Sequence, residues 1–417
     1  MTSSDGGLST TSCSCLFRLI SLYKSGIDTT DKANLRDSNN NMAFTVRLPR
    51  PFADIPRAAL MYPYATPIEP LKNLTSYLKN EPNAPKSLPN LWIKHEDTNS
   101  PLAYGGNKVR KLEYVMADAI AKNATHLVTV GGVQSNSQRQ VTAAGNRFGM
   151  KTVLTPDPKI GNPSAEDRAA YESAGNVQIN AVLGAEWKPS TPEDREQANA
   201  EGGNGLAYEV AARREMDKIK AEGGVPYFIP SGASMHTLGG LGFARWAFEL
   251  EQQEQELGVR FDAVVLSTAS GSTLGGMTAG FKLINKQSEN GDAAVKRRLI
   301  GIQATSCDLK ETARVVTKSA KNTAVLIGLQ EDDVKDGDYE LDGRYNAGVY
   351  GHFNEETKDA IKTLASTEGI LTDPVYTGKA VAGLLGLARE GAFGSAQNVL
   401  FVHTGGTPAL SAYPSFH

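Results

Sequence analysis

Four segments of this 417-residue chain place reactive or ligand-binding side chains just after short apolar runs. In Gly105-Gly106-Asn107-Lys108 two glycines let the backbone turn tightly, and a lysine follows at once. A lysine held in an apolar pocket has a lowered pKa and forms a Schiff base with a carbonyl compound. The same residues also read as a helix start with a surface lysine, of which Lys111 is the ordinary example. In Gly131-Gly132-Val133-Gln134-Ser135-Asn136, the serine and asparagine stand at a helix N-terminus, where N–H groups and the dipole favour a carboxylate. Both are equally the preferred capping residues. Ala269-Ser270-Gly271-Ser272-Thr273 sets small residues and hydroxyls at a strand-to-helix turn, a concave set of N–H donors suited to a phosphate. No Gly-Lys-Ser/Thr closes it, so it is not a Walker loop. Gly271, Gly275 and Gly276 miss the G-x-G-x-x-G spacing of a dinucleotide site. The fourth set joins residues 373–379 to His403-Thr404-Gly405-Gly406. There Tyr376 reads as a buried aromatic with its hydroxyl satisfied, His403 as a core histidine and Lys379 as a solvated residue opening a helix.

The elements that must position these segments alternate. Residues 91–94 form a short strand, and Val109, Leu112, Val115, Met116, Ala119 and Ile120 recur at helical spacing. Residues 126–130 read as a buried strand. A helix carrying Val141, Ala144 and Phe148 follows, stops at Gly149, and leads to a strand at 151–154. That is a βαβ unit, which closes right-handedly around a parallel pair. The theme returns with strands at 262–267, 298–302 and 398–402 and helices at 274–284 and 381–389. The chain is therefore α/β with mostly parallel sheets flanked by helices. Such sheets hold ligands beyond the carboxyl ends of their strands, where the segments above lie.

Composition narrows the classes. The 43 Lys plus Arg against 46 Asp plus Glu leave a net charge of -3, which argues against a general nucleic-acid binder. A hydrophobic content of 40% supports a sizeable core. Cys13, Cys15 and Cys307 make neither a disulfide framework nor a zinc site, which favours a reducing compartment such as the cytoplasm. No run approaches the roughly 18–20 apolar residues needed to span a membrane. Residues 1–41 read as a disordered extension before Met42, with 37–41 as linker. Arg18 and Lys24 would suit a mitochondrial transit peptide, but Asp5, Asp28 and Asp31 do not.

Taken in order, the motifs resemble one family. Gly-Gly-Asn-Lys108-x-Arg110-Lys111-Leu112-Glu113-Tyr114, Gly-Gly-Val-Gln134-Ser135-Asn136-x-x-Arg139-Gln140, Leu-Gly239-Gly240-Leu-Gly242-Phe243, Ser270-Gly271-Ser272-Thr273, Asp373-Pro-Val-Tyr376 and His403-Thr-Gly-Gly406 look like those of the pyridoxal-phosphate enzymes that include 1-aminocyclopropane-1-carboxylate (ACC) deaminase and D-cysteine desulfhydrase. The resemblance implies a two-domain, tryptophan-synthase-β-like fold. Residues 42–104 and 216–417 would form the large cofactor-binding domain and 105–215 the small one. It implies pyridoxal 5'-phosphate bound as a Schiff base to Lys108, with its phosphate on Ser270, Gly271, Ser272 and Thr273. Asn107 would lie beside the ring hydroxyl, and Thr377 and Thr404 beside the rest of the ring. Ser135, Asn136, Tyr350 and Tyr376 would face a small amino-acid substrate. A homodimer is implied as well, without nucleic acid, membrane or metal.

Within the family, ACC deaminases resemble one another in carrying Glu and Leu where this chain has Thr377 and Thr404. Both threonines are similar to the D-cysteine desulfhydrase pattern. A hydroxyl in place of a carboxylate holds the ring nitrogen's proton less firmly and weakens the electron sink. On that basis the expected reaction is elimination of sulfide from D-cysteine to give pyruvate and ammonia. The alternative is ACC deamination to 2-oxobutanoate and ammonia. A cofactor-binding paralogue without turnover is a third possibility, and a nucleotide-dependent oxidoreductase is discouraged by the missing fingerprint. Ser137 and Ser234-Met235-His236-Thr237 depart from the family pattern.

Residues 1–41 lack a periodic apolar face long enough to pack, so a chain begun at Met42 should match the full chain in thermal midpoint and activity. Differential scanning fluorimetry beside an activity assay checks this, and a large drop in either would show that the segment packs on the body.

Overall fold

The computed structural model of the chain describes residues 44–161, 163–201, 206–288, 297–305 and 308–416. The expectations for residues 1–41 and for Cys13, Cys15 and Cys307 lie outside the described residues.

Two sheets form the frame. The larger has six strands: β1 (Ile68–Pro70), β2 (Asn90–His95), β7 (Ala263–Thr268), β8 (Arg298–Gln303), β9 (Glu340–Asp342) and β10 (Asn398–His403), in the order β1-β2-β10-β7-β8-β9. The smaller has four: β3 (His126–Gly132), β4 (Lys151–Asp157), β5 (Glu186–Trp187) and β6 (Pro226–Ile229), in the order β5-β4-β3-β6. Every pair is parallel except β1 with β2. Because β6 pairs with β3, the smaller sheet extends to Ile229.

The sequence shows why these strands are central. Ala263, Val264, Val265 and Leu266 are each 0% exposed, as both faces of a parallel sheet are covered by its crossover helices. On one side Val265, Ile300, Val399 and Phe401 pack with Leu74, Leu78, Val381 and Leu385. The helix Asn107–Ala121 lays Val109, Leu112, Val115 and Met116 against Leu127, Val141 and Ile229 of the smaller-sheet layer. Ile120, in its last turn, departs from the expected face and is 42% exposed.

A buried ionic cluster ties this helix to the larger sheet. The Arg110 guanidinium donates to Glu96 Oε1 at 2.9 Å and to both Glu249 oxygens at 2.8 Å. Lys94 Nζ donates to Glu249 Oε1 at 2.8 Å, and Trp246 Nε1 to Glu96 Oε1 at 2.9 Å. Glu96 follows β2, Lys94 lies in it, and Glu249 and Trp246 belong to the helix Leu241–Leu257. No helix among the described residues is long and apolar enough to cross a membrane.

Burial by itself would push the Glu249 carboxyl up, but Arg110 and Lys94 outweigh it and hold the group well below the ordinary carboxylate range. A carboxyl depressed on folding adds stability at pH values above its unfolded pKa of about 4.3, and that contribution falls away as pH drops toward the folded value. Glu249→Ala should lose about 3–5 kcal/mol, because it strands two buried cations. Urea unfolding at pH 7 and pH 3 should show the wild-type advantage over this variant shrinking at the lower pH.

Candidate active site

Lys108 is the second residue of the helix Asn107–Ala121, and the chain reaches it through an unusual turn. Ala103, Tyr104, Gly105 and Gly106 all have positive φ, at 41°, 65°, 56° and 118°. Gly106 has a second reason to be glycine, since a Cβ there would sit 2.6 Å from Gln140 Nε2 and the Gln140 amide would have to shift. Lys108 is half-buried, with its Nζ 5.5 Å from the centre of the Tyr376 ring. Burial lowers the amine to about 8, with Asp373 opposing the shift and Arg139 adding to it.

Lys111 is not the surface lysine its spacing suggests. It is 1% exposed, donates to the Gly232 carbonyl at 3.1 Å, and is pushed well below the ordinary lysine range by burial, with Lys108 adding to the shift. Lys379 likewise is buried rather than solvated. It donates to the carbonyls of Ala304 at 3.2 Å and Asn346 at 2.7 Å, and burial lowers it to about 8 against the pull of Asp373. In both cases carbonyls far along the chain take the place of water. His403 is the core histidine expected, with Nε2 2.8 Å from the Leu371 carbonyl.

The segment between β7 and the helix Ser272–Ser288 forms a small cup. Gly232 closes against it so tightly that a Cβ there would lie 2.2 Å from Ser270 Oγ. Ser234 supports the cup: its Oγ is 3.0 Å from Ser272 Oγ and accepts from Ser272 N at 3.3 Å. Asn107 Nδ2 donates to Thr273 Oγ1 at 3.1 Å, and its N–H donates to the Thr404 carbonyl at 3.0 Å. Three distant segments therefore meet at one asparagine. Asn107, Lys108, Asn136, Ser270, Gly271, Thr273, Tyr376 and Thr404 line one cavity.

Ser135, Ser272, Tyr350 and Thr377 are not among its lining residues. Ser135 caps the helix Asn136–Arg147, its Oγ accepting from Gln138 N at 3.4 Å. Asn136 Oδ1 accepts from Asn176 Nδ2 at 2.8 Å. Ser137 is buried beside them. The hydroxyls of Tyr350 and Tyr376 are hydrogen-bonded to each other, with ring centres 5.9 Å apart. Burial pushes both phenols above their ordinary range. A Cβ on Gly132 would lie 3.1 Å from Tyr350 Cε1, which places Tyr350 at the carboxyl end of β3, close to the Ser135 turn.

Asp373 organises the far wall, and sequence reading passed it over. Its buried carboxylate accepts from the N–H groups of Val375 and Tyr376 at 2.8 Å and of Thr377 at 3.0 Å. Thr377 Oγ1 donates to it at 2.6 Å and accepts from Asp373 N at 3.0 Å. The signal was the Asp itself, a residue whose side chain readily accepts from the backbone N–H groups of the turn that follows it. Among the described residues no group of three or more His, Cys, Asp or Glu could hold a metal ion.

The chain belongs to the family described as pyridoxal-phosphate dependent enzymes, whose model matches residues 60–405. It has the tryptophan-synthase-β-like α/β fold of that class (fold type II), and pyridoxal phosphate is its cofactor. Similar proteins include a probable ACC deaminase of Cryptococcus neoformans, 40% identical over 84% of this chain and 92% of that protein. The ACC deaminase of Burkholderia cenocepacia is 42% identical over 84% of this chain and 94% of its own length. A crystal structure described as an ACC deaminase homologue matches with a TM-score of 0.70 and 30% identity, covering 88% of this chain and 96% of that one. A fungal L-serine ammonia-lyase from Rhizomucor miehei shares the fold at a TM-score of 0.55 and 18% identity, covering 85% and 98%.

These relatives overturn the D-cysteine desulfhydrase reading. The structure shows why Thr377 misled. Its hydroxyl proton goes to Asp373, and its oxygen takes the Asp373 N–H, so residue 377 reports how a turn is capped. Thr404 does line the cavity, but its hydrogen bond to Asn107 is through the backbone carbonyl, which any residue supplies.

The residues present suit the cofactor. The cup offers hydroxyls and a helix N-terminus to a phosphate, and Thr268 Oγ1 beneath it is buried with no protein partner among the described residues. A lysine amine of lowered pKa stands at the other end of the cavity. The purified protein should therefore absorb in the visible, and borohydride should fix the cofactor to Lys108, as read by peptide mapping. Lys108→Ala should keep only noncovalent binding, and a label on another lysine would overturn the assignment.

Proposed function

We propose that the protein is an ACC deaminase, which opens the cyclopropane ring of 1-aminocyclopropane-1-carboxylate and releases 2-oxobutanoate and ammonia. The observation that carries the reading is the match to proteins of that name over nearly their whole length, including 94% of the Burkholderia cenocepacia enzyme. The overall change balances as ACC plus one water giving 2-oxobutanoate plus ammonia.

ACC has no hydrogen on its α carbon, so its reaction has to break a Cα–Cβ bond. Bound in the cup, pyridoxal phosphate supplies the electron sink for the pair left at Cα. In this reading Ser270, Gly271, Ser272 and Thr273 bind the phosphate, and Asn107 and Thr404 border the ring. Ser135 and Asn136 hold the substrate carboxylate at the start of their helix, where N–H groups point outward. Lys108 anchors the cofactor and, once released, takes up and returns a proton, for which an amine near 8 is suited. The Tyr350–Tyr376 pair is protonated at neutral pH, as ordinary phenols are, and burial raises both further. In this reading the pair holds a proton for the ring carbon that leaves Cα. The working form is read as a homodimer, which light scattering tests.

Coupled assays for 2-oxobutanoate and ammonia should show both formed from ACC in equal amounts. Tyr376→Phe should lower kcat by about 10²–10⁴-fold, the usual weight of a positioned proton donor. Failure of the wild-type holoenzyme to form 2-oxobutanoate would remove the reading.

A further inference from the structure

The turn before Lys108 asks L-residues to do what glycine does easily. Ala103 and Tyr104 occupy left-handed backbone conformations in succession, a state that persists only where the surroundings impose it. The Tyr104 side chain is 69% exposed, so its own packing does not impose it.

The Arg139 guanidinium, 0% exposed, reaches this turn from the helix Asn136–Arg147. One nitrogen, Nη1, donates to the carbonyl of Ala103 and, at 3.4 Å, to that of Gly105. The other two fix the guanidinium itself: Nε donates to Asn176 Oδ1 at 2.7 Å and Nη2 to Asn136 Oδ1 at 3.4 Å. The side chain thus joins the substrate-side helix to both ends of the left-handed turn.

We infer that Arg139 is a positioning residue, whose guanidinium clamps the strained 103–105 turn and so aims Lys108 into the cavity. The inference rests on the reading of Lys108 as the cofactor lysine. Lysine cannot replace arginine here, because an ammonium is a point charge without the planar fork that meets several acceptors in one plane. A second consequence is electrostatic. The positive charge of Arg139 adds to burial in keeping the Lys108 amine low, while Asp373 opposes both.

Four variants test this: Arg139→Lys, Arg139→Gln, Tyr104→Gly and the double Arg139→Lys/Tyr104→Gly. Glycine takes φ near 65° without strain, so a glycine turn needs no clamp. Cofactor release from the holoenzyme, followed by loss of the visible band, should be about tenfold faster in Arg139→Lys, equivalent to about 1.4 kcal/mol. The double variant should recover most of that loss, and Tyr104→Gly alone should release cofactor at the wild-type rate. Hydrogen exchange should quicken at 103–106 in Arg139→Lys before it does elsewhere. The pH midpoint of cofactor attachment should rise in Arg139→Gln and stay near wild type in Arg139→Lys. Wild-type release from Arg139→Lys, or a loss that Tyr104→Gly fails to relieve, would overturn the clamp. If no Arg139 variant folds, Tyr104→Val decides. A β-branched residue resists this φ, so faster release supports the clamp and wild-type release overturns it. Borohydride mapping of the wild type separates the two ideas, since a label away from Lys108 sinks the lysine assignment whatever the variants do.

Discussion

Arg110 is the residue on which the rest of the structure depends. Two positions after Lys108, its guanidinium is buried between Glu96 at the end of β2 and Glu249 of the helix Leu241–Leu257. With Lys94 the cluster holds two cations and two carboxylates away from water. Buried charges are tolerable only when paired in good geometry, so this arrangement admits little sliding. Apolar packing of Val109, Leu112 and Met116 presses the same helix onto the smaller-sheet layer. Hydrophobic contact brings the helix to that layer, and the ionic cluster sets its register against the other sheet. Lys108 inherits its position from both.

The cavity itself is a problem in charge balance. Asp373 pulls on Lys108, Arg139 and Lys379 alike, yet its oxygens are already engaged by the turn at residues 375–377. Several buried cations thus share one committed carboxylate. Such a site favours ligands that bring negative charge, as a phosphate and an amino-acid carboxylate do. The lowered Lys108 amine follows from the same arrangement, because burial outweighs the single opposing carboxylate. Chemistry that needs a partly neutral amine near neutral pH is thereby built in.

The branch assignment shows how far one residue can mislead. Matched to a family pattern, Thr377 and Thr404 read as ring partners. In place, the Thr377 hydroxyl closes a loop with Asp373, and Thr404 meets Asn107 through its carbonyl. Similarity across 84% of the chain carried information that two side chains could not.

Much of this protein was legible from the chain alone. Mostly apolar runs of four to six residues marked β2, β3, β4, β7, β8 and β10, because a strand buried on both faces is apolar over most of its length. The sequence reading does not find β1, β5, β6 and β9: β1, β5 and β9 lack such runs, and β6, though apolar, is four residues long and takes its place by pairing with β3, some 100 positions away. The ordered motifs around Lys108, Ser135, the 269–273 turn, Tyr376 and His403 carry the resemblance that implies a pyridoxal-phosphate enzyme. Which charges are buried was decided only by tertiary structure. Lys111 meets a carbonyl 121 positions away, Lys379 one 75 positions away, and Arg110 a carboxylate 139 positions away. Local sequence governs turns, caps and periodicity because those interactions span a few residues. The fate of an amine or a guanidinium depends on acceptors supplied from elsewhere, and only the folded chain brings them within 3 Å or so of the donor.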